Sequence, residues 1–270
     1  MADELFKLGF IGGGAMAEAL ISGTIANNVL PASSIYVSEL RDQRVEELKD
    51  KYGVNAFNGA DSFIGEVDMI ILAVKPQVAD KALEQIAGKM DRYAVVASIV
   101  AGLKLEKLES YLKKQPVIRV MPNTPLSVGA GMSAFAMGSK TEPDDKDMLV
   151  KILSACGKVV EVNEGMLDAV TGLSGSGPAY GFLMIDALAD GGVAAGLPRQ
   201  TAILLAAQTL LGAAKMVLDT GKHPDQLRDQ VTSPAGTTIA GVRVMEQQGV
   251  RGALIDAVIA ATERSQSLGK

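Results

Sequence analysis

Gly9-Phe10-Ile11-Gly12-Gly13-Gly14-Ala15-Met16-Ala17 is the stretch that decides the architecture of this chain. Gly12, Gly14 and Ala17 spell G-x-G-x-x-A, directly after a β-rich run, Lys7–Ile11, and before a helix predicted to begin near Met16. The small residues permit a tight turn, a close backbone approach to a pyrophosphate and close helix–strand packing. The helix start offers that anion unpaired N–H groups and a partial positive charge. First strand, first turn and first helix are the right context for dinucleotide binding, with Ile11, Gly12, Gly13, Gly14, Ala15 and Met16 in contact with the cofactor.

Outward from this turn, β-rich runs recur at Ile35–Ser38, Met69–Val74, Ala94–Ile99, Val117–Met121 and Lys158–Val162. Helical stretches lie between them, such as Arg41–Lys51, with Val45 and Leu48 inward, and Gln77–Met90. Strand, crossover helix, strand is the pattern of a parallel, doubly wound sheet. Met69–Val74 is continuously apolar, as a strand covered on both faces should be. After about Glu164 strand signals vanish, and helices are expected over Met166–Leu173, Ala179–Ala195, Arg199–Asp219, Pro224–Val231, Thr237–Gln248 and Gly252–Ser267. The expected fold is therefore α/β: a Rossmann-like doubly wound domain over residues 1–164, then an all-helical domain over 165–270. The helices of the second half are apolar around most of their circumference, and so short a segment cannot bury them alone. Oligomerisation is expected.

Composition narrows the function. A net charge of −5 and the absence of any Lys/Arg run leave no basic face for nucleic acid. Asp3 and Glu4 precede the first apolar run, the wrong charge order for a secretory signal. The longest apolar stretches are broken by Asp186, Asp190 and Lys215, so helices buried in protein are expected rather than membrane spans. One cysteine, Cys156, and one histidine, His223, exclude an internal disulfide and cysteine- or histidine-rich metal sites. A reducing, cytoplasmic setting and metal-free chemistry fit this composition.

Candidate site residues cluster at the carboxyl ends of the predicted strands, where open α/β sheets bind ligands. Glu39 ends the second β-rich run, where an acid can take the hydroxyls of the adenosine ribose, and Arg41 follows, where it could hold a 2′-phosphate. The two point in opposite directions, and the choice between NAD and NADP stays open. Ala73-Val74-Lys75-Pro76 places a cation near cofactor phosphates, or is a lysine beside an ordinary helix-starting proline. Pro122-Asn123-Thr124-Pro125 holds a stiff polar pair suited to a nicotinamide amide, or makes a plain rigid turn. In the helical half, Gly175-Ser176-Gly177-Pro178 reads as a capped helix start with Ser176 near the N-cap. Ser233-Pro234-Ala235-Gly236-Thr237-Thr238 leads into another helix and suits a substrate carboxylate; capping alone is the alternative for both segments. His223 reads as a helix entry, and Cys156 as core.

Together these segments resemble the pyrroline-5-carboxylate reductase family over nearly the whole chain. The resemblance rests on Phe10–Met16, Ala73–Pro76 and Asn123–Pro125, and more specifically on Asp168–Tyr180, Asp186–Val193, Gly196–Arg199 and Val231–Pro234. It implies reduction of L-1-pyrroline-5-carboxylate to L-proline, the last step of proline biosynthesis, by NAD(P)H. NADPH is commonly preferred and NADH is the alternative. Carried over by position, Thr238 lies against the substrate nitrogen, and Val231, Ser233, Gly236 and Thr237 hold the carboxylate. Asn58 matches a position near the adenosine ribose phosphate, and Glu164 one near the nicotinamide. The family's helical domains interleave into homodimers, often assembled further into decamers, and each site borrows residues from a partner chain. Two departures stand out. Many relatives carry Ser-Pro-Gly-Gly where this chain has Ser233-Pro234-Ala235-Gly236, and many bacterial relatives carry Asn-Arg where it has Glu39-Leu40-Arg41. The rival readings are a 3-hydroxyacid-dehydrogenase-type enzyme using Lys215, and a non-catalytic NADP(H)-sensing protein.

Overall fold

The computed structural model describes residues 6–268; Asp3 and Glu4, on which the expectation about a signal segment rests, lie outside them. The chain divides into two compact units. One runs to Gly175 and is rejoined by the chain from Ala261; the other is Ser176–Ala260.

The first unit is an eight-stranded sheet of β1 (Leu8–Ile11), β2 (Ile35–Ser38), β3 (Asn55–Phe57), β4 (Met69–Leu72), β5 (Val95–Ser98), β6 (Val117–Met121), β7 (Gly131–Met137) and β8 (Gly157–Glu161). Their order is β3-β2-β1-β4-β5-β6-β7-β8. All neighbours are parallel except β6 and β7, which pair antiparallel with Val120 opposite Phe135. The period-2 alternation of each strand builds two cores. Leu8, Phe10, Met69 and Ile71 face one side, under α1 (Ala15–Ala26), α2 (Asp42–Tyr52) and α5 (Asp147–Ser154). Ile11, Ile70 and Leu72 face the other, under α3 (Ala79–Ile86), α4 (Leu105–Tyr111) and α6 (Leu167–Val170). All four residues of β4 are buried, as its unbroken apolar run requires. Val45 and Leu48 are the inward face of α2.

Two strands have no counterpart in the expected list. β3 has three residues, too few for a periodic signal, and β7 reads Gly-Met-Ser-Ala-Phe-Ala-Met, with no β-branched residue. The sheet ends at Glu161, and the compact unit continues past it to Gly175. Leu167 is fully buried in the sheet's second core, which holds α6 to this unit. The last helix returns to it as well, where Ser265 donates to Asp168 Oδ1 at 2.6 Å.

Helices α1 and α2 are joined by charge. Glu18 accepts from Lys51 and Tyr52, each at 2.9 Å, and pairs with Arg44. The bonds from Lys51 and Arg44, against an opposing burial effect, take its carboxyl down to about 2. This group therefore contributes stability that is full above the ordinary value of 4.5 and is lost as pH falls toward about 2. Glu18→Gln is expected to cost about 1–2 kcal/mol at neutral pH, discounted for solvent screening of a surface network. Denaturant unfolding of both proteins should show the gap closing as pH is lowered through that window.

The second unit is helical: α7 (Gly177–Ala194), α8 (Arg199–Thr220), α9 (Pro224–Gln230), α10 (Thr237–Gln247) and the part of α11 (Val250–Leu268) up to Ala260. Its internal core is small, Ala189, Ala202 and Ala206 with Ile185 beside them. Small residues bring α7 and α8 close, since a Cβ on Gly192 would meet that of Ala202 at 3.1 Å. Phe182, Leu183, Leu204, Leu218 and Ile255 are left exposed. Arg199–Thr220 is, by length and composition, long and apolar enough to cross a membrane. An apolar surface of this extent marks a place where another surface docks.

Candidate active site

The chain steps from β1 to β2 to β3 on one side of the sheet, then returns to β4 on the other flank of β1. That reversal opens a crevice at the carboxyl ends of β1 and β4. It holds a cleft of about 490 Å³ lined by Ile11, Gly12, Gly14, Glu39, Arg41, Ala73, Val74 and Lys75, all expected from the sequence. Ser38, Leu40, Val78, Lys81, Ala82 and Gln85 complete the lining and were not expected. A second recess of about 170 Å³ shares Ile11, Ser38, Leu40 and Gln85 and adds Gly59, Ala60 and Asp61. Leu40 is 74% exposed, an uncovered apolar side chain at the mouth of both, well suited to the flat face of a base.

The turn itself fits a pyrophosphate. Gly12 has φ +101°, and a Cβ there would lie 2.6 Å from the carbonyl oxygen of Ala73. Gly14 sits at the N-cap of α1 with no side-chain cap, and a Cβ on it would meet nothing within 4 Å, so open space faces the helix start. Gly13 is gripped at both ends: its N–H donates to Glu39 Oε2 at 3.3 Å, and its carbonyl accepts from Arg44 Nε at 2.9 Å. Ala15 and Met16 open α1.

Glu39 and Arg41, opposed in the sequence, are partners in the structure. Arg41 Nε donates to Glu39 Oε1 at 3.1 Å and its terminal nitrogen to Oε2 at 3.2 Å. The backbone N–H groups of Leu40 and Arg41 also donate to Oε1. Burial pushes the Glu39 carboxyl up, but the Arg41 and backbone bonds outweigh it and leave it below its ordinary value. Asn58 is exposed and donates to Asp42 Oδ1 at 2.6 Å. Lys75 caps a short 3₁₀ turn at the cleft edge.

Two other expected cofactor residues are bound within the chain. Asn123 donates to the Ser174 carbonyl at 3.0 Å and accepts from Met132 N–H at 2.9 Å, so its amide braces the end of β6. Glu164 Oε1 accepts from the Leu105 N–H at 2.7 Å and pairs with the buried Arg119 at 3.1 Å. The helix start expected at Ser176 is not free. A π turn, Thr171–Gly175, runs into α7, and Ser176 has helical dihedrals with no side-chain cap. A chain that arrives already helical has no set of orphan N–H groups to offer an anion.

The segment before α10 differs. Gly236 is the N-cap with extended dihedrals, and no side chain caps the helix, so the first N–H groups of α10 lack intrahelical partners. Ser233 lies against this start: a Cβ on Gly236 would meet its Oγ at 2.4 Å, so a larger residue there would have to displace the serine hydroxyl. Thr237 and Thr238 are the first two residues of the helix, Thr238 half-buried. Val231 ends α9 and is exposed. His223 caps α9, its Nδ1 accepting from Asp225 N–H at 3.3 Å. Lys215, the base the dehydrogenase rival needs, pairs with Asp219 at 2.6 Å on an exposed helix face. Cys156 is buried, which pushes its thiol up.

Residues 164–268 match the family model described as pyrroline-5-carboxylate reductase dimerisation, and residues 7–102 match one described as NADP oxidoreductase, coenzyme F420-dependent. The pyrroline-5-carboxylate reductase of Synechocystis is 49% identical over 264 residues, covering 98% of each chain. The chain belongs to the pyrroline-5-carboxylate reductase family. The solved pyrroline-5-carboxylate reductase of Coxiella burnetii superposes with a TM-score of 0.91 at 35% identity, covering 99% of this chain and 100% of that one. The Plasmodium falciparum enzyme, solved with NADP bound, superposes with a TM-score of 0.86 at 31% identity, covering 98% of each.

Within this family the departure at Ala235 acquires a physical meaning. Its φ is +53°, a left-handed conformation that glycine adopts freely and alanine does not. Ala235→Gly is expected to raise stability by about 1 kcal/mol, read as a higher midpoint in thermal or denaturant unfolding. An unchanged or lower midpoint would mean that the turn holds Ala235 without strain.

Proposed function

We propose that this chain reduces L-1-pyrroline-5-carboxylate to L-proline, taking hydride from a reduced nicotinamide dinucleotide. The observation that carries the reading is the intact Ser233–Thr238 segment at an uncapped helix start, in a chain that also holds a dinucleotide cleft. Bound in that cleft, a reduced nicotinamide supplies the hydride. NADPH is supported by the NADP in the Plasmodium relative, and NADH is the alternative.

The chain's own residues bind and orient. Gly12, Gly13, Gly14, Ala15 and Met16 take the pyrophosphate at the start of α1, with Lys75 adding charge. Glu39, Arg41 and Asn58 meet the adenosine ribose. Ile11, Ala73, Val74, Asn123 and Glu164 line or brace the path toward the nicotinamide end. Val231, Ser233, Gly236 and Thr237 hold the carboxylate by hydroxyls and the N–H groups of α10. The Thr238 hydroxyl fixes the ring nitrogen, which keeps or takes up a proton while the imine carbon receives hydride. A protonated imine is already electrophilic, so orientation and charge placement do most of the catalysis. The domain reading keeps residues 1–164 for the cofactor and 165–270 for substrate and dimerisation.

The exposed Phe182, Leu183, Leu204 and Leu218 support a homodimer through the helical half, with a decamer as the further assembly. The setting proposed is the cytoplasm, with no nucleic-acid or membrane partner. The test is loss of reduced-nicotinamide absorbance with racemic pyrroline-5-carboxylate, run with NADPH and NADH in parallel. Imine-dependent oxidation yielding proline supports the reading, and no turnover with either cofactor from folded, oligomeric protein sinks it.

A further inference from the structure

We infer that Glu39 is the selectivity residue of the dinucleotide cleft: it penalises NADPH relative to NADH, and it does so partly by holding Arg41 away from the 2′-phosphate. The inference rests on the dinucleotide half of the proposed function and not on the imine.

The geometry is specific. The side chain of Glu39 is only 11% exposed, wedged at the end of β2 against the Gly13 peptide. Its oxygens meet three backbone N–H groups and both donating nitrogens of Arg41. A carboxylate in this place at the end of the second strand accepts from ribose hydroxyls, which are donors and leave the Arg41 pair intact. A 2′-phosphate is an acceptor only. To hold it along the same Nε edge, Arg41 must release Glu39, and the phosphate then sits beside a part-buried carboxylate that has lost its cation. Arg41 is otherwise well placed to move, with its side chain 68% exposed.

Among the described residues, the neighbouring cations do not replace it. Arg44 is tied to the Gly13 carbonyl, to Glu18 and to Glu47. Lys75 and Lys81 line the cleft from the segment that follows β4, and β4 lies on the opposite flank of β1 from β2. Asp42 adds a second carboxylate next to Arg41, its Oδ1 engaged by Asn58. The local balance is thus two acids against one guanidinium whose Nε edge is committed, a poorer setting for a dianion than for hydroxyls.

The experiment measures NAD⁺ and NADP⁺ binding by calorimetry, with no imine present, for the unaltered protein, Glu39→Gln, and Glu39→Gln combined with Arg41→Ala. Glutamine keeps an acceptor for the backbone N–H groups but gives up the charge. Comparing two ligands on each protein cancels any loss of folded fraction. Glu39→Gln is expected to shift the Kd ratio toward NADP⁺ by about tenfold or more, and adding Arg41→Ala to remove most of that gain. A ratio that stays within about twofold in Glu39→Gln overturns the inference, as does a shift that survives loss of Arg41 undiminished. If the ratio shifts as expected but pyrroline-5-carboxylate is not reduced, the selectivity assignment stands and the substrate reading alone falls.

Discussion

Gly12→Ala is expected to cost this protein about 2–4 kcal/mol of stability and to abolish dinucleotide binding, whereas Gly14→Ala should lose binding alone. The two glycines share a turn but meet different neighbours. At Gly12 the new methyl would lie 2.6 Å from the Ala73 carbonyl oxygen and 3.2 Å from Val74 Cγ1, on a backbone with φ +101°. The turn cannot retreat, because Gly12 N–H donates to the Ser38 carbonyl and Ala73 N–H to that of Ile11, each at 2.8 Å. Relief of the clash therefore has to break a bond that ties β1 to β2 or to β4. At Gly14 nothing lies within 4 Å and φ is −71°, ordinary for any residue. Its methyl fills only the space that a pyrophosphate would occupy. Melting each variant with and without NADPH separates the two effects. Gly14→Ala should melt within about 0.5 kcal/mol of the unaltered protein yet show no ligand-induced shift. A Gly14→Ala protein stabilised by NADPH as strongly as the original would remove the pyrophosphate from this helix start.

Thr238→Ala is expected to lower kcat by about 10²-fold while changing KM for the imine only a few-fold, and Thr238→Ser to keep most of the activity. The hydroxyl sits on the second residue of α10, half-buried, while the carboxylate donors proposed beside it come from other residues. Losing it should leave the substrate bound but free to turn, so that its carbon no longer faces the hydride. Thr237→Ala should show the reverse, a raised KM with kcat largely kept. Steady-state kinetics at saturating cofactor decides the matter. A Thr238→Ala enzyme with kcat within about twofold of the original would exclude the hydroxyl from the reacting centre.

Much of the fold was legible because its signals are local. The glycine turn, the all-buried β4 and the inward pair Val45 and Leu48 each declare themselves within a few residues. β7 was not, because it is a strand by virtue of lying between β6 and β8 rather than by its own composition. The start of α7 was legible, with Ser176 at the N-cap and Pro178 in the first turn, but the π turn that leads into it was not. Whether Ser176 begins a helix or continues one depends on the π turn before it, and short apolar sequence does not distinguish the two.

The candidate site divides along the same line. Residue identities along the chain were enough to mark the Gly12–Ala17 turn, the acid and base ending β2, and the hydroxyl run before α10. Those features need only neighbours in sequence, and backbone sterics and helix ends act at that range. The tertiary structure alone decided that Glu39 and Arg41 bind each other rather than compete. It also decided that Asn123 and Glu164 spend their polar atoms on Ser174, Met132, Leu105 and Arg119. It set Ala235 at positive φ, and it added Leu40, Lys81 and Gln85 to the cleft. Each of these depends on which side chain or backbone stands within about 3–4 Å across the fold. A hydrogen bond or a clash is settled at that distance, and spacing along a chain does not encode it.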